Sequence, residues 1–231
     1  MSQTQFPGIL ISVDGPDGSG KSSITSLLST RLNALWPDRG GLIIKPSYFE
    51  SSPAANQIGQ ELVASQGLVP GTLAHNKYYL RAMRANYLTV VLPALMAGQV
   101  VVLDSSEIRA LAFVIDRDDP EVIMQTQSWL LSERLTAGIY PQLRLMLWAD
   151  AVDLQQNLRT KNALDSGDPQ TLAEIKKRID SYAAAKTYIE AIGSGDSIWV
   201  SQQIRHQPVG IDFGRLVIDQ GISNIFLKLK T

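Results

Sequence analysis

The chain of 231 residues contains no cysteine, two histidines and little charge of either sign in excess. Without cysteine there are no disulfides, thiol nucleophiles or thiolate metal sites, and His75 and His206 alone do not make a histidine-rich metal centre. Lys and Arg number 21 against 22 Asp and Glu, a net charge of -1, so no bulk field gathers nucleic acid or an anionic membrane surface. No apolar run reaches the roughly 18 residues of a membrane span. The segment Met1 to Pro7 has neither the charged nor the apolar part of a signal peptide. These absences predict a cytoplasmic protein with no nucleic-acid and no membrane partner. What is present is an ordinary globular composition, 45% hydrophobic and 19% charged, enough to bury a core. No Pro/Ser-rich linker or charge block marks a seam, so residues 1–231 are read as one domain with a core over about 8–200.

The first apolar run, Ile9 to Val13, is short and β-branched, and the glycine-rich stretch Gly15-Pro16-Asp17-Gly18-Ser19-Gly20 follows it. This reads as a buried parallel strand and a loop. Ile24, Leu27, Leu28, Leu32 and Leu35 then recur at helical spacing up to Trp36-Pro37. Further strands are expected at Gly41–Lys45, Val100–Asp104, Leu143–Trp148 and Ser197–Val200. Helices are expected at about Ala54–Ala64, Thr72–Ala97 with a disturbance at Pro93, Glu107–Ile115, Pro120–Ala137, Val152–Asn162 and Leu172–Ile192. Alternating strands and helices predict an α/β fold, a parallel sheet flanked by helices, whose ligands bind beyond the carboxyl ends of the strands. The tail 201–231 is unassigned.

Gly15 to Ser22 fits G-x-x-x-x-G-K-[ST], the phosphate-binding P-loop, between a strand and a helix as that chemistry requires. The loop N–H groups of Gly15, Asp17, Gly18, Ser19, Gly20, Lys21, Ser22 and Ser23 surround a nucleotide phosphate chain, Lys21 reaches the terminal phosphates and the Ser22 hydroxyl ligates Mg²⁺. The cofactors predicted are therefore ATP and Mg²⁺. Asp104, a carboxylate ending a central strand, sits where a metal-bound phosphate needs charge compensation, or else caps the next helix.

From Val13 to Ser23 the sequence resembles the opening E-G-x-D-G-x-G-K-[ST]-T of the thymidylate kinase family of nucleoside monophosphate kinases. The resemblance runs from about Ile9 to Val200 and is strongest over the P-loop and residues 78–113. It implies a P-loop NTPase fold of the nucleoside monophosphate kinase type with a short lid at about 159–170, nucleotide substrates, and a homodimer paired partly through the helix after Thr72. It gives Asp17 an acceptor-side role, accepting a hydrogen bond from the sugar 3′-hydroxyl; the alternative is a carboxylate bonded within its own turn. Tyr78-Tyr79-Leu80-Arg81-Ala82-Met83-Arg84 is similar to the family's L-L-F-x-A-x-R helix, so Arg84 matches the base-contacting arginine, Leu80 replaces the stacking ring and Tyr79 lies beside it. The alternative for Arg81 and Arg84, three residues apart on one helix face, is a solvated basic face. The strand ending in Asp104 resembles the family's D-R-[YH] signature, which places Asp104 beside Mg²⁺.

Three family arginines are replaced. Ser105 follows Asp104 where arginine is expected, Ile44 stands two residues before Pro46 with Lys45 one place shifted as the substitute, and Ser166 ends the lid pattern, leaving Arg159 and Lys161 as donors. Serine cannot replace a planar cation that contributes ~10³–10⁵ in rate. Either other cations take over, with Lys45, Arg109, Arg117, Arg134, Arg159 and Lys161 available, or transfer is weak and the chain is a nucleotide-binding regulatory protein. An altered acceptor, a nucleoside or another small molecule, is the third account. Asp116 to Glu121 reads as helix capping, Trp129, Trp148 and Trp199 as core, and Lys176-Lys177-Arg178 as a solvated basic run.

Overall fold

The computed structural model describes residues 6–46, 49–65, 72–160, 169, 171–192 and 197–203. Five strands, β1 (Ile9–Asp14), β2 (Gly41–Ile44), β3 (Val100–Asp104), β4 (Leu143–Trp148) and β5 (Ile198–Gln203), form one sheet in the order β2-β3-β1-β4-β5. Every pairing is parallel, so each connection crosses over through helices, as the α/β reading requires. The helices are α1 (Lys21–Leu35), α2 (Pro53–Ala64), α3 (Leu73–Asn86), α4 (Leu92–Met96), α5 (Glu107–Arg117), α6 (Pro120–Leu131), α7 (Ala151–Thr160) and α8 (Leu172–Ala191).

Strand alternation divides the core in two. Ile9, Ile11, Val13, Val100, Val102, Leu143, Leu145 and Leu147 pack with Ile24, Leu28 and Leu32 of α1. Leu10, Val101, Leu103 and Met146, on the other face, pack with α3, α5, α6 and α8. A smaller cluster, Ala149, Leu154, Leu158 and Ile175, joins α7 to α8. Trp129, Trp148 and Trp199 lie half-buried against the larger core, as expected from their apolar surroundings.

Local chemistry sets most element ends. Ser52, Thr72, Ser106, Asp119 and Thr171 each accept a backbone N–H at a helix start, and Thr171 with Glu174 completes a capping box. Pro93 acts as anticipated. Between α3 and α4 the helix widens into a π turn over Tyr87–Val91, in which Leu92 N–H reaches the carbonyl of Tyr87, and proline's missing donor is absorbed without a break. The helix expected to run from Pro120 to Ala137 stops at Leu131. Leu130 and Leu135 are both buried, and in a helix five residues would set them about 140° apart around the axis, so the chain leaves the helix to bury both. Asp104 does not cap α5; Ser106 does. The last strand continues past Val200 to Gln203, and residues 204–231 lie outside the described residues.

One charged group is built into this interior. Arg144 of β4 faces α5 and is fully buried, with Nη2 2.6 Å from Glu107 Oε1. Its guanidinium carbon lies 5.2 Å from the centre of the Trp199 ring, and the Tyr87 hydroxyl donates to Glu107 at 3.3 Å. Removing one member strands the other in a low-dielectric interior, so Arg144→Met is expected to cost about 3–5 kcal/mol. Urea unfolding at neutral pH measures this, and Arg144→Met combined with Glu107→Gln is expected to recover most of the loss.

Candidate active site

The glycine loop leaves the central strand β1 and enters α1, as the motif predicts. All three of its glycines have positive φ, and two of them are also closely approached by neighbouring backbone. At Gly15, φ is 151° and a Cβ would lie 2.4 Å from the Leu147 carbonyl oxygen; at Gly18, φ is 84° and a Cβ would lie 3.0 Å from the Leu154 carbonyl oxygen. Neighbouring chain therefore wraps the loop from β4 and α7, and Asn157 of α7 donates to the Gly18 carbonyl at 2.9 Å. No side chain caps the first turn of α1, which leaves its N–H groups directed at whatever anion the loop holds.

Lys21 is buried beneath this loop. Its ammonium donates to the carbonyls of Gly15 at 2.7 Å and Pro16 at 2.9 Å, lies 3.5 Å from Asp17 Oδ1, and stands 6.0 Å from the centre of the Tyr182 ring. Burial lowers its pKa, while Asp17 opposes the shift. Ser22, one residue on, donates to Asp104 Oδ2 at 3.1 Å. The pairing of β1 with β3 sets Asp104 beside Val13, so a hydroxyl and a carboxylate from separate elements meet at the carboxyl edge of the sheet. Hard oxygens in that number suit Mg²⁺, which takes one or two protein ligands and completes its shell with phosphate and water. Among the described residues no group of three or more His, Asp or Glu forms a denser metal site. Lys45 Nζ lies 3.8 Å from Asp104 Oδ2, which brings the shifted cation to the same point.

Asp14 and Ser106 secure the geometry from below. Asp14 Oδ1 accepts the Ser106 N–H at 2.7 Å and Oδ2 accepts its hydroxyl at 2.8 Å, so the segment after Asp104, with a cis peptide between Asp104 and Ser105, is tied to the base of the P-loop. Burial raises the Asp14 pKa; the Ser106 amide opposes it, and the Glu107 charge adds to it. The Ser19 and Ser105 hydroxyls are buried with no hydrogen-bond partner.

Asp17 does not bond its own turn alone. Its Oδ2 lies 2.8 Å from Arg178 Nη1 of α8. Burial works to raise its pKa, and Lys21, Arg109 and Arg178 together overcome burial and hold the carboxyl below its ordinary value of 3.8. The expectation that Lys176-Lys177-Arg178 forms a solvated run is corrected here, since Arg178 is 8% exposed and turns inward to the P-loop. The remaining expected residues stand apart from this cluster. Arg84 donates to the Arg134 carbonyl, Arg81 pairs with Glu61 at 3.1 Å, Leu80 is fully buried and Tyr79 packs against the core. Arg159 is exposed at the end of α7, and Lys161 and Ser166 lie outside the described residues.

Compared with solved structures, the chain is similar to thymidylate kinase from Ehrlichia chaffeensis, with a TM-score of 0.63 over 94% of this chain and 98% of that one, at 15% sequence identity. The chain has the thymidylate kinase fold. A cytidylate kinase from Citrifermentans bemidjiense is 43% identical over 42 residues, and the match spans 18% of this chain and 18% of that protein. No protein-family model matches the chain. None of the described helices is long and apolar enough to cross a membrane.

Within this thymidylate kinase fold the sequence reading missed Asp14, Ser106, Glu107, Arg144 and Arg178. Arg178 carried a signal, because Ile175, Arg178, Tyr182, Ala185 and Ile189 recur at three- and four-residue spacing and all are buried. The Asp17 environment has a measurable pH signature. A carboxyl with a lowered native pKa contributes stability that is complete above its unfolded value of 3.8 and is lost as pH falls through the native value. For Asp14, raised in the native state, the sign reverses, and its contribution is lost as pH rises. The difference in melting temperature between wild type and Asp17→Asn is therefore expected to shrink as thermal scans move from about pH 5 to about pH 2.

Proposed function

We propose that the chain is an ATP- and Mg²⁺-dependent phosphotransferase that passes the γ-phosphate of ATP to a nucleoside monophosphate, with dTMP the first acceptor to test. The observation that carries this reading is the meeting of the P-loop hydroxyl and the strand-end carboxylate, Ser22 and Asp104, 3.1 Å apart beside Lys21. The thymidylate kinase fold and the short cytidylate kinase match support the same class of acceptor.

Phosphoryl transfer asks a protein for position and countercharge more than for covalent chemistry. In this reading the loop N–H groups and the open first turn of α1 hold the phosphates, and Lys21 leaves the carbonyls of Gly15 and Pro16 for the terminal phosphates. Ser22 and Asp104 would hold Mg²⁺, which when bound would supply neutralisation of charge on the phosphate oxygens. Lys45, 3.8 Å from Asp104, brings a cation to the edge where the family arginines are missing. Asp17, Arg84 and Tyr79 are the acceptor-side residues, and Arg159 and Lys161 the lid donors. In this reading the protein works as a cytoplasmic homodimer.

A second reading, a nucleotide-binding protein with weak transfer, draws support from Ser105. It is neutral, fully buried and in the place of a phosphate-contacting arginine. ATP turnover with Mg²⁺ over a panel of nucleoside monophosphates and nucleosides separates the two. Turnover with one acceptor is expected, with Lys21→Ala lowering kcat by about 10²–10³-fold and Asp104→Asn raising the Mg²⁺ concentration for half-maximal rate. ATP binding with no turnover of any acceptor would overturn the kinase reading and leave the second.

A further inference from the structure

A carboxylate inside a phosphate-binding loop is an electrostatic liability, because it repels the polyanion that the loop exists to hold and competes with it for the loop lysine. In this chain Asp17 Oδ1 lies 3.5 Å from Lys21 Nζ, and Lys21 already spends donors on the carbonyls of Gly15 and Pro16. Something must hold Asp17 when Lys21 leaves. Arg178 is built for that task. Its Nη1 lies 2.8 Å from Asp17 Oδ2, while Nε and Nη2 lie 3.0 and 2.9 Å from Asp116 Oδ2 of α5. The guanidinium carbon sits 5.4 Å from the centre of the Phe113 ring, so one carboxylate and one aromatic face of α5 fix the direction in which the fork points. Arg109, one helical turn before Phe113, adds its charge to the same carboxylate. A planar fork serves two carboxylates at once in a way that the point charge of lysine does not.

We propose that Arg178 is a positioning residue for nucleotide binding: held by Asp116 and Phe113, it retains and neutralises Asp17, so that Lys21 is released from the loop to the phosphates of ATP. This inference rests on the ATP-binding part of the proposed function. It places α8 in direct electrostatic contact with the P-loop and gives the chain a cation, drawn from an element that the sequence pattern did not single out, at a site short of family arginines.

A double-mutant cycle read by equilibrium binding of ATP with Mg²⁺ tests it, with inorganic tripolyphosphate as a second probe of the phosphate site. Arg178→Gln is expected to weaken ATP binding about tenfold in the wild-type background and less than about twofold in an Asp17→Asn background, because the charge it neutralises is then gone. Arg178→Lys is expected to show a smaller loss, erased in the same way, and serves where the glutamine variant does not fold; melting temperatures of all variants report folding. A role confined to docking α8 on α5 would give the same loss in both backgrounds, and that result overturns the proposal. Equal ATP affinity in wild type and Arg178→Gln also overturns it while leaving the proposed function intact. Wild-type binding without turnover overturns the kinase reading alone, with Arg178 judged on the binding series, whereas no ATP binding by wild type overturns both.

Discussion

Charge buried at the carboxyl edge of the sheet is the constraint on which the rest of the site depends. Asp14 ends the central strand, Arg144 rises from the neighbouring strand and Glu107 opens α5, and all three are shielded from water. Two carboxylates against one guanidinium leave the cluster short of positive charge, and burial with the Glu107 charge pushes the Asp14 carboxyl up. The cluster persists because every charge finds directed donors. Ser106 gives its amide and hydroxyl to Asp14, Arg144 gives Nη2 to Glu107, and Tyr87 gives its hydroxyl to the same carboxylate. Replacing such a network by apolar side chains is often no less stable, so its value here lies in geometry. The segment holding Asp104 is pinned to the strand that launches the P-loop, and the 3.1 Å approach of Ser22 to Asp104 follows from that pinning.

The order of the elements was legible in the sequence because the strands are short β-branched runs and the glycine loop has a fixed place between strand and helix. The alternation that splits Leu10 from Ile9 and Ile11 is the pleat itself, and it needs no tertiary information. The end of α6 was not legible, since Leu135 continues an apolar pattern that reads as helix up to Ala137 until the burial of both Leu130 and Leu135 is known. Of the site, Lys21, Ser22 and Asp104 followed from the motif and from the strand end, and the structure brings them together. Arg144 was hidden by its neighbours: within Leu143 to Trp148 it occupies a position that the pleat assigns to the core, and a single charge in an apolar strand reveals no partner until α5 and β4 are placed side by side. Arg178 was hidden in the opposite way, by two exposed lysines beside it. Its register with Ile175 and Tyr182 marked it as inward-facing, and the carboxylates of Asp116 on α5 and of Asp17 in a loop 161 residues away explain why an inward arginine is tolerated.

The missing family arginines take a different meaning from this arrangement. Arginine at the place of Ser105 would follow directly after Asp104. Positive charge is nonetheless gathered around the loop, with Lys45 after β2 lying 3.8 Å from Asp104, Arg178 of α8 2.8 Å from Asp17, and Arg109 of α5 acting on the same carboxylate. This placement has a mechanical consequence. Charge delivered by a strand end is fixed with the sheet, whereas the Arg178 charge is carried by a helix packed against α5 and α7. Tyr182 and Arg178, four residues apart on α8, contact Lys21 and Asp17 respectively, so any displacement of that helix alters both partners of the loop's own ion pair together. In the proposed reading, a polyanion that draws Lys21 outward strengthens the hold of Arg178 on Asp17 by the same free energy with which that hold favours the polyanion.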